Sequence, residues 1–219
     1  MSATNSICIG SSALIRIHKV VTRGLSISMQ CSRGTGPEPD LRDGFQRFVQ
    51  ALYSGFVVHN DGEDEIAFPL FKMSFADGPF EVLSSQHRQM MPLLDKVNAW
   101  CNQGSTAWET ASIAGLHSTL SELNSLWHKH FPIEQILFGP RECERMLTPE
   151  ENAWLDEQLA VHAAQYSHPG ELVLPFILYN LEGDDRAAMS SAMPQVIAEQ
   201  LVPFDWKPSW APMHPFLLD

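Results

Sequence analysis

Basic side chains are scarce in this chain. Its 219 residues carry 14 Lys and Arg against 26 Asp and Glu, a formal net charge of −12. That balance argues against a nucleic-acid or anionic-membrane surface. Cysteine is scarcer still. The four present, Cys8, Cys31, Cys101 and Cys143, are scattered and form no CxxC pair. Free, mostly buried thiols in a reducing compartment are expected, and a thiolate-rich metal site is excluded. Long apolar runs are also missing. The stretch near Leu14 is broken by Arg16, His18 and Lys19, so it reads neither as a signal peptide nor as a membrane span. These absences together lead to an expected cytoplasmic location, with no nucleic-acid or membrane partner.

With 44% hydrophobic and 18% charged residues, the chain has the composition of a globular protein. It is long enough for one sizeable domain or a domain with an extension. Helical periodicity dominates. A first helix is expected from about Ser11 to Met29, with Leu14, His18, Val21 and Leu25 on one face. After the loop Gly34–Pro39, a second should run from Asp40 or Leu41 to Leu70. Its inward seam reads Phe45, Val49, Leu52, Phe56, His59, Glu63, Ile66, Leu70. Asp77-Gly-Pro79 breaks the chain again. A third helix then reaches Cys101 with Phe80, Leu83, His87, Met90, Leu94, Val97 and Cys101 inward, and Pro92 is a point of bending. A fourth spans about Thr106 to Phe138, its seam Leu116, Leu120, Leu123, Trp127, His130, Glu134, Leu137.

The remainder differs in character. Thr148-Pro149-Glu150-Glu151 has the form of a capping box and starts a fifth helix to about Gln165. Glu171–Leu181 is short and apolar, and Asp184–Leu201 reads as a helix interrupted by Pro194. The end, from Pro203 onward, is rich in proline and aromatic residues; regular helix is not expected there, but packing along the bundle is. The expected organisation is an all-α, up-down-up-down four-helix bundle over residues 10–140, with a helical extension over 141–219 packed against it.

Two segments share one pattern. His59-Asn-Asp-Gly-Glu63 and His130-Phe-Pro-Ile-Glu134 are both H-x-x-x-E, which sets an imidazole and a carboxylate one turn apart on one helix face. Both copies lie on apolar seams, where such groups are costly unless they share a partner. In an up-down-up-down order, His18, His59, Glu63, His87, His130 and Glu134 all fall at the same end of the bundle. Nitrogen and carboxylate donors suit iron, manganese or zinc. Four histidines and two glutamates exceed a structural zinc site. They fit two metals, each held by two histidines, with both glutamates bridging and positions left open for water, hydroxide or dioxygen.

On these residues the chain resembles the hemerythrin family, specifically the hemerythrin-like HHE cation-binding domains, over about residues 10–140. The resemblance rests on Leu14-Ile-Arg-Ile-His18, His59 through Pro69, Gln86-His87-Arg88 and His130 through Phe138. It implies a non-haem di-iron centre with an oxo or hydroxo bridge, with His18, His59, Glu63, His87, His130 and Glu134 as ligands and the two glutamates bridging. Three departures stand out. Oxygen-carrying hemerythrins have a further histidine at the position of Met91, beside Met90, so a more symmetric centre is implied and reversible oxygen transport is disfavoured. Pro132 lies inside the second motif, where a kink or π-bulge is expected. Gly62 lies inside the first, as room for a ligand or a neighbouring backbone. Met90, Met91, Gly62 and Tyr53 are the residues expected around the centre. Among the remaining polar residues, Asp61, Asp64 and Glu65 read as a wet acidic face, with the orientation of ligands as their alternative role. His128 is expected to face solvent.

The function this implies is a di-iron protein that binds or senses dioxygen, nitric oxide or iron. The alternatives are an enzyme consuming peroxide or nitric oxide, and a partner-binding bundle with a structural metal site. No obvious proton relay or substrate pocket accompanies the motifs, which places binding ahead of catalysis.

Overall fold

The computed structural model describes residues 9–218, and the described residues contain helices and no strand. Cys8 falls outside them. Helix α1 covers Ile9–Cys31. A 3-10 turn, Pro39–Leu41, leads into α2, Arg42–Gly62. The chain stays helical past Gly62 but widens into a π-helical turn, Glu63–Ala67, before α3, Phe68–Ser74. Helix α4, Phe80–Cys101, ends where its periodicity predicts. Helix α5, Thr110–Leu137, starts later than expected, because Gly104–Trp108 forms a 3-10 turn. That turn folds Trp108 against Trp100 and Phe45 at one end of the bundle.

The π turn has a local cause. Proline lacks an N–H, and its ring crowds the carbonyl four residues back. Pro69 sets that conflict at Glu65. The turn just before Pro69 takes in an extra residue, and the Phe68 N–H bonds to the Glu63 carbonyl. The inward seam shifts with it: Ile66 is only half-buried, while Ala67, Phe68 and Phe71 enter the core. Of the two distortions expected at Pro132, the π-bulge is not found, since α5 is α-helical from Thr110 to Leu137. Pro132 lies on the exposed face of α5, where water can bond the carbonyl that the proline leaves without a donor.

Helix α1 packs on α2 and α5, and α4 packs on the same two, so the four long helices close into a bundle. The chain after α5 is helical as well, in shorter pieces. Helix α6, Pro140–Met146, was not expected. Helix α7, Pro149–Tyr166, begins with the capping box read from Thr148 and Glu151. Helices α8, Gly170–Tyr179, and α9, Gly183–Ala192, follow. The proline-rich end forms a second π-helical stretch, Ile197–Asp205, then α10, Lys207–Trp210, and a 3-10 turn, Ala211–Phe216. Much of this extension covers α2: α7, α8 and the 211–216 turn all pack on it. Phe216 meets Phe45 and Phe48, and Arg23 donates to the Phe216 carbonyl at 2.8 Å.

The core is divided in two. One apolar cluster takes Val20, Val21 and Leu25 of α1, Phe45 to Phe56 of α2, Met90 to Cys101 of α4 and Ile113 to Trp127 of α5, together with Phe176, Trp210, Met213 and Phe216. The other takes Leu14, Ala67, Phe68, Phe71, Phe80, Leu83, Leu137 and Phe138, with residues of α6 and α7. On each of the four long paths the break between the clusters falls at the same level. Among the described residues no helix is long and apolar enough to cross a membrane.

Candidate metal centre

The layer between the two clusters is polar. His18 comes from α1, His59 from the last turn of α2, Glu63 from the first position of the π turn, His87 from α4, and His130 and Glu134 from α5. All six are buried, none more than 6% exposed. Their donor atoms form two overlapping groups, each within 4.8 Å of one another: His18, His59, Glu63 and Glu134 in one, Glu63, His87, His130 and Glu134 in the other. Both carboxylates belong to both groups. Glu134 turns Oε2 to His18 Nε2 at 3.3 Å and Oε1 to His130 Nε2 at 2.8 Å. Glu63 lies with Oε1 3.7 Å from His18 Nε2, and with Oε2 3.4 Å from both His59 Nε2 and His87 Nε2.

These are charge contacts without aligned hydrogen bonds. None of the four carboxylate oxygens of Glu63 and Glu134, and neither ring nitrogen of His18 or His59, has a hydrogen-bond partner among the described residues. A buried polar atom left in that state costs about 1–3 kcal/mol, and a charged one more. Four such side chains in one layer, with His87 and His130 beside them, fit a shared cation, which satisfies imidazole nitrogen and carboxylate oxygen together. The donor set contains no thiolate.

The other two histidines are held from outside. His87 Nδ1 lies 2.9 Å from Asp64 Oδ2, and Asp64 in turn accepts a hydrogen bond from Ser84 Oγ. His130 Nδ1 lies 2.9 Å from Gln86 Oε1. With a proton on each Nδ1, both Nε2 atoms carry lone pairs. Those atoms stand only 2.9 Å apart, a repulsive approach unless a proton or a cation lies between them.

The electrostatics follow from burial and close carboxylates. For His18, burial opposes the charged ring, but the Glu134 and Glu63 carboxylates outweigh it and carry the pKa up to about 9. In His87 burial is likewise opposed, here by Asp64 and Glu63, and its pKa rises to about 10. For His59 burial wins over the attraction of Glu63, and the pKa falls to about 4. Burial alone would raise the Glu63 carboxyl, but the facing imidazoles hold it well below the ordinary carboxylate range.

Aromatic rings wall the layer. Trp127 lies edge-on to His18 at 5.4 Å and also meets His59 and His130. Its indole N–H donates to Thr22 Oγ1 at 2.8 Å. Phe68 stacks on His87 at 5.6 Å with 10° between the planes. Asp64 is thus drawn out of the acidic face into the orienting role that was its alternative. Trp127 was read only as a seam residue, and Gln86 and Phe68 only as parts of the segments that carry the resemblance; none of the three was expected to touch the centre. Gln86 and Phe68 reach a histidine of another helix, so no spacing marks them.

Of the four residues expected around the centre, Met90 is fully buried in the larger apolar cluster, and Met91 and Tyr53 are half-buried against it. Burial raises the Tyr53 pKa, with Asp95 and Asp61 adding to it. Gly62 gives room to α7: a Cβ there would lie 3.3 Å from Leu159 and 3.4 Å from His162. That space is filled by side chains, not by a ligand or a backbone. His128 is exposed, as its position two residues from His130 requires.

Comparison with known proteins gives one match. Residues 10–142 fit the family model described as hemerythrin HHE cation binding domain. No curated protein and no solved structure matches the chain.

Proposed function

The chain belongs to the hemerythrin HHE cation-binding domain family, and from that membership we propose that it binds a pair of iron ions and offers them to a small ligand, dioxygen or nitric oxide. One observation carries the reading: in the polar layer, carboxylate oxygens and imidazole nitrogens are buried with no hydrogen-bond partner among the described residues. His18 and His59 would hold one ion, His87 and His130 the other, and Glu63 and Glu134 would be shared by both. Manganese or zinc would use the same donors. Iron in this place supplies redox-active binding of a diatomic molecule.

The protein's own residues set what can reach it. The six groups are buried behind Trp127, Phe68 and Phe131, so a small ligand suits the centre and a large substrate does not. The apolar slabs on either side keep bulk water away. The same reading makes the bundle up-down-up-down. Support comes from the level of the donors, early in α1 and α4 but late in α2 and α5.

The test is spectroscopic. Ferrous protein prepared without oxygen is exposed to nitric oxide or dioxygen and then evacuated. A visible absorption change that reverses on evacuation is expected. An unchanged spectrum with both gases contradicts the ligand-binding proposal, and steady consumption of peroxide or nitric oxide moves the function to an enzyme.

A further inference from the structure

We infer that the two halves of the centre are unequal: Asp64 and Gln86 pre-set the His87–His130 half as a cation site, and it fills before the His18–His59 half. The inference deepens the metal reading and rests on it.

The six donors alone suggest a symmetric pair, with two histidines on each side and two shared carboxylates. Their outer partners break that symmetry. Asp64 is an acceptor when ionised, so His87 must donate through Nδ1, and its Nε2 faces inward as a lone pair. Ser84 bonds the second oxygen of Asp64 and fixes the carboxylate in place. Gln86 Oε1 does the same for His130 Nδ1. Both rings therefore have one orientation and one tautomer. Their Nε2 atoms converge at 2.9 Å, beside Glu134 Oε1 and Glu63 Oε2.

His18 and His59 have no such anchors among the described residues. Their rings are placed by contact alone, against each other at 5.0 Å and against Trp127 at 5.4 and 6.1 Å. Edge contacts with rings hold an orientation but do not choose which nitrogen carries the proton. A cation entering that half must first select the tautomer, whereas in the other half the selection is built in. The π turn contributes to the difference. Asp64 follows Glu63 within it, and the two successive carboxylates serve the centre from inside and from outside.

Asp64 and Gln86 are positioning residues, and the test follows the metal steps themselves. Metal-free protein is titrated with ferrous iron without oxygen, in a calorimeter. Two steps separated by about tenfold or more in affinity are expected. Asp64→Ala and Gln86→Ala each weaken the tighter step by about 10- to 100-fold and leave the weaker step in place. Asp64→Asn retains an acceptor oxygen and restores most of the loss, which a purely structural effect would not do. Cobalt(II) gives a second readout by proton NMR: the first equivalent shifts two exchangeable imidazole N–H signals, and Asp64→Ala broadens one by exchange with water. Two equal steps in the unaltered protein overturn the inequality while leaving the metal reading intact, and so does an Asp64→Ala variant that weakens both steps alike. Absence of uptake in the unaltered protein overturns both. Where a variant fails to fold, cobalt NMR of the unaltered chain decides the order: a first equivalent that leaves the anchored His87 and His130 N–H signals unshifted overturns the inference.

Discussion

His59 and His87 show how far neighbours can drive identical side chains apart. Both are buried and both face Glu63 at 3.4 Å. Both also feel Glu134, but Asp64 adds a further carboxylate to His87 only; burial wins at His59 and loses at His87, and the two pKa values move in opposite directions, to about 4 and about 10. A pH dependence of the metal-free protein follows. The ordinary value for histidine is about 6.5. For His18 and His87, raised in the folded state, the folded protein holds more protons above pH 6.5. Their stabilisation is complete below that value and is lost as pH rises through about 9 and 10. For His59, lowered to about 4, the unfolded chain holds more protons below pH 6.5, so stability falls as pH drops toward 4. Glu63, held below its ordinary range, acts in the same acidic sense. Urea unfolding of metal-free protein is therefore expected to show greatest stability near pH 6.5 and a decline on both sides. Bound metal replaces the protons on the inner nitrogens, so the alkaline decline shrinks in the loaded protein. An alkaline limb unchanged by metal would contradict this assignment of the protons. The doubled H-x-x-x-E and the seam histidines were legible in the sequence because they recur at helical spacing. The role of Gln86 was not, since its hydrogen bond crosses from α4 to a ring on α5.

At the level of elements, the long helices show their periodicity plainly. The expected seam residues of α4 and α5, from Phe80 to Cys101 and from Leu116 to Leu137, are all buried, and α4 buries Leu93 and Trp100 besides, because a bundle interior accepts one stripe per helix. The π turn was hidden for the opposite reason. Pro69 and Pro132 are both exposed prolines near a motif, so neither spacing nor polarity marks which helix widens. Widening after Gly62 lets Phe68 stack on His87, while α5 stays α-helical through Pro132. The short helices of the extension were only partly legible, since prolines every few residues hide the pattern of turns. Their attachment leads to a prediction at Gly44. A Cβ there would stand 1.8 Å from the Pro212 carbonyl oxygen, so Gly44→Ala must push the 211–216 turn away from α2. Overpacking of this kind costs about 1–3 kcal/mol, or on the order of 2–4 °C per kcal/mol for a chain of this size. Thermal unfolding is expected to show that loss, with metal content unchanged because Gly44 lies far along α2 from His59. A melting temperature equal to that of the unaltered chain would mean the turn is not seated where described.

Across the whole molecule, the polar layer divides a core that would otherwise be continuous. Without metal, that layer leaves buried charges facing one another, which is a weak contribution to stability. A cation bound there stabilises only the folded state. At a thousandfold excess over its dissociation constant it adds about 4 kcal/mol, a rise on the order of 10 °C in melting temperature. The helices of the extension lie over α2, so the path that carries His59 and Glu63 is steadied from both sides. The central claim is that the six groups of the layer hold a pair of cations, and metal content tests it most directly. The chain is reconstituted with ferrous iron, freed of loose metal and measured by mass spectrometry beside the double variant His59→Ala/His130→Ala, with circular dichroism confirming that both are helical. About two metal ions per chain are expected in the unaltered protein, the load of a di-metal bundle, with nearly complete loss in the variant. Equal metal content in the two proteins would contradict the account.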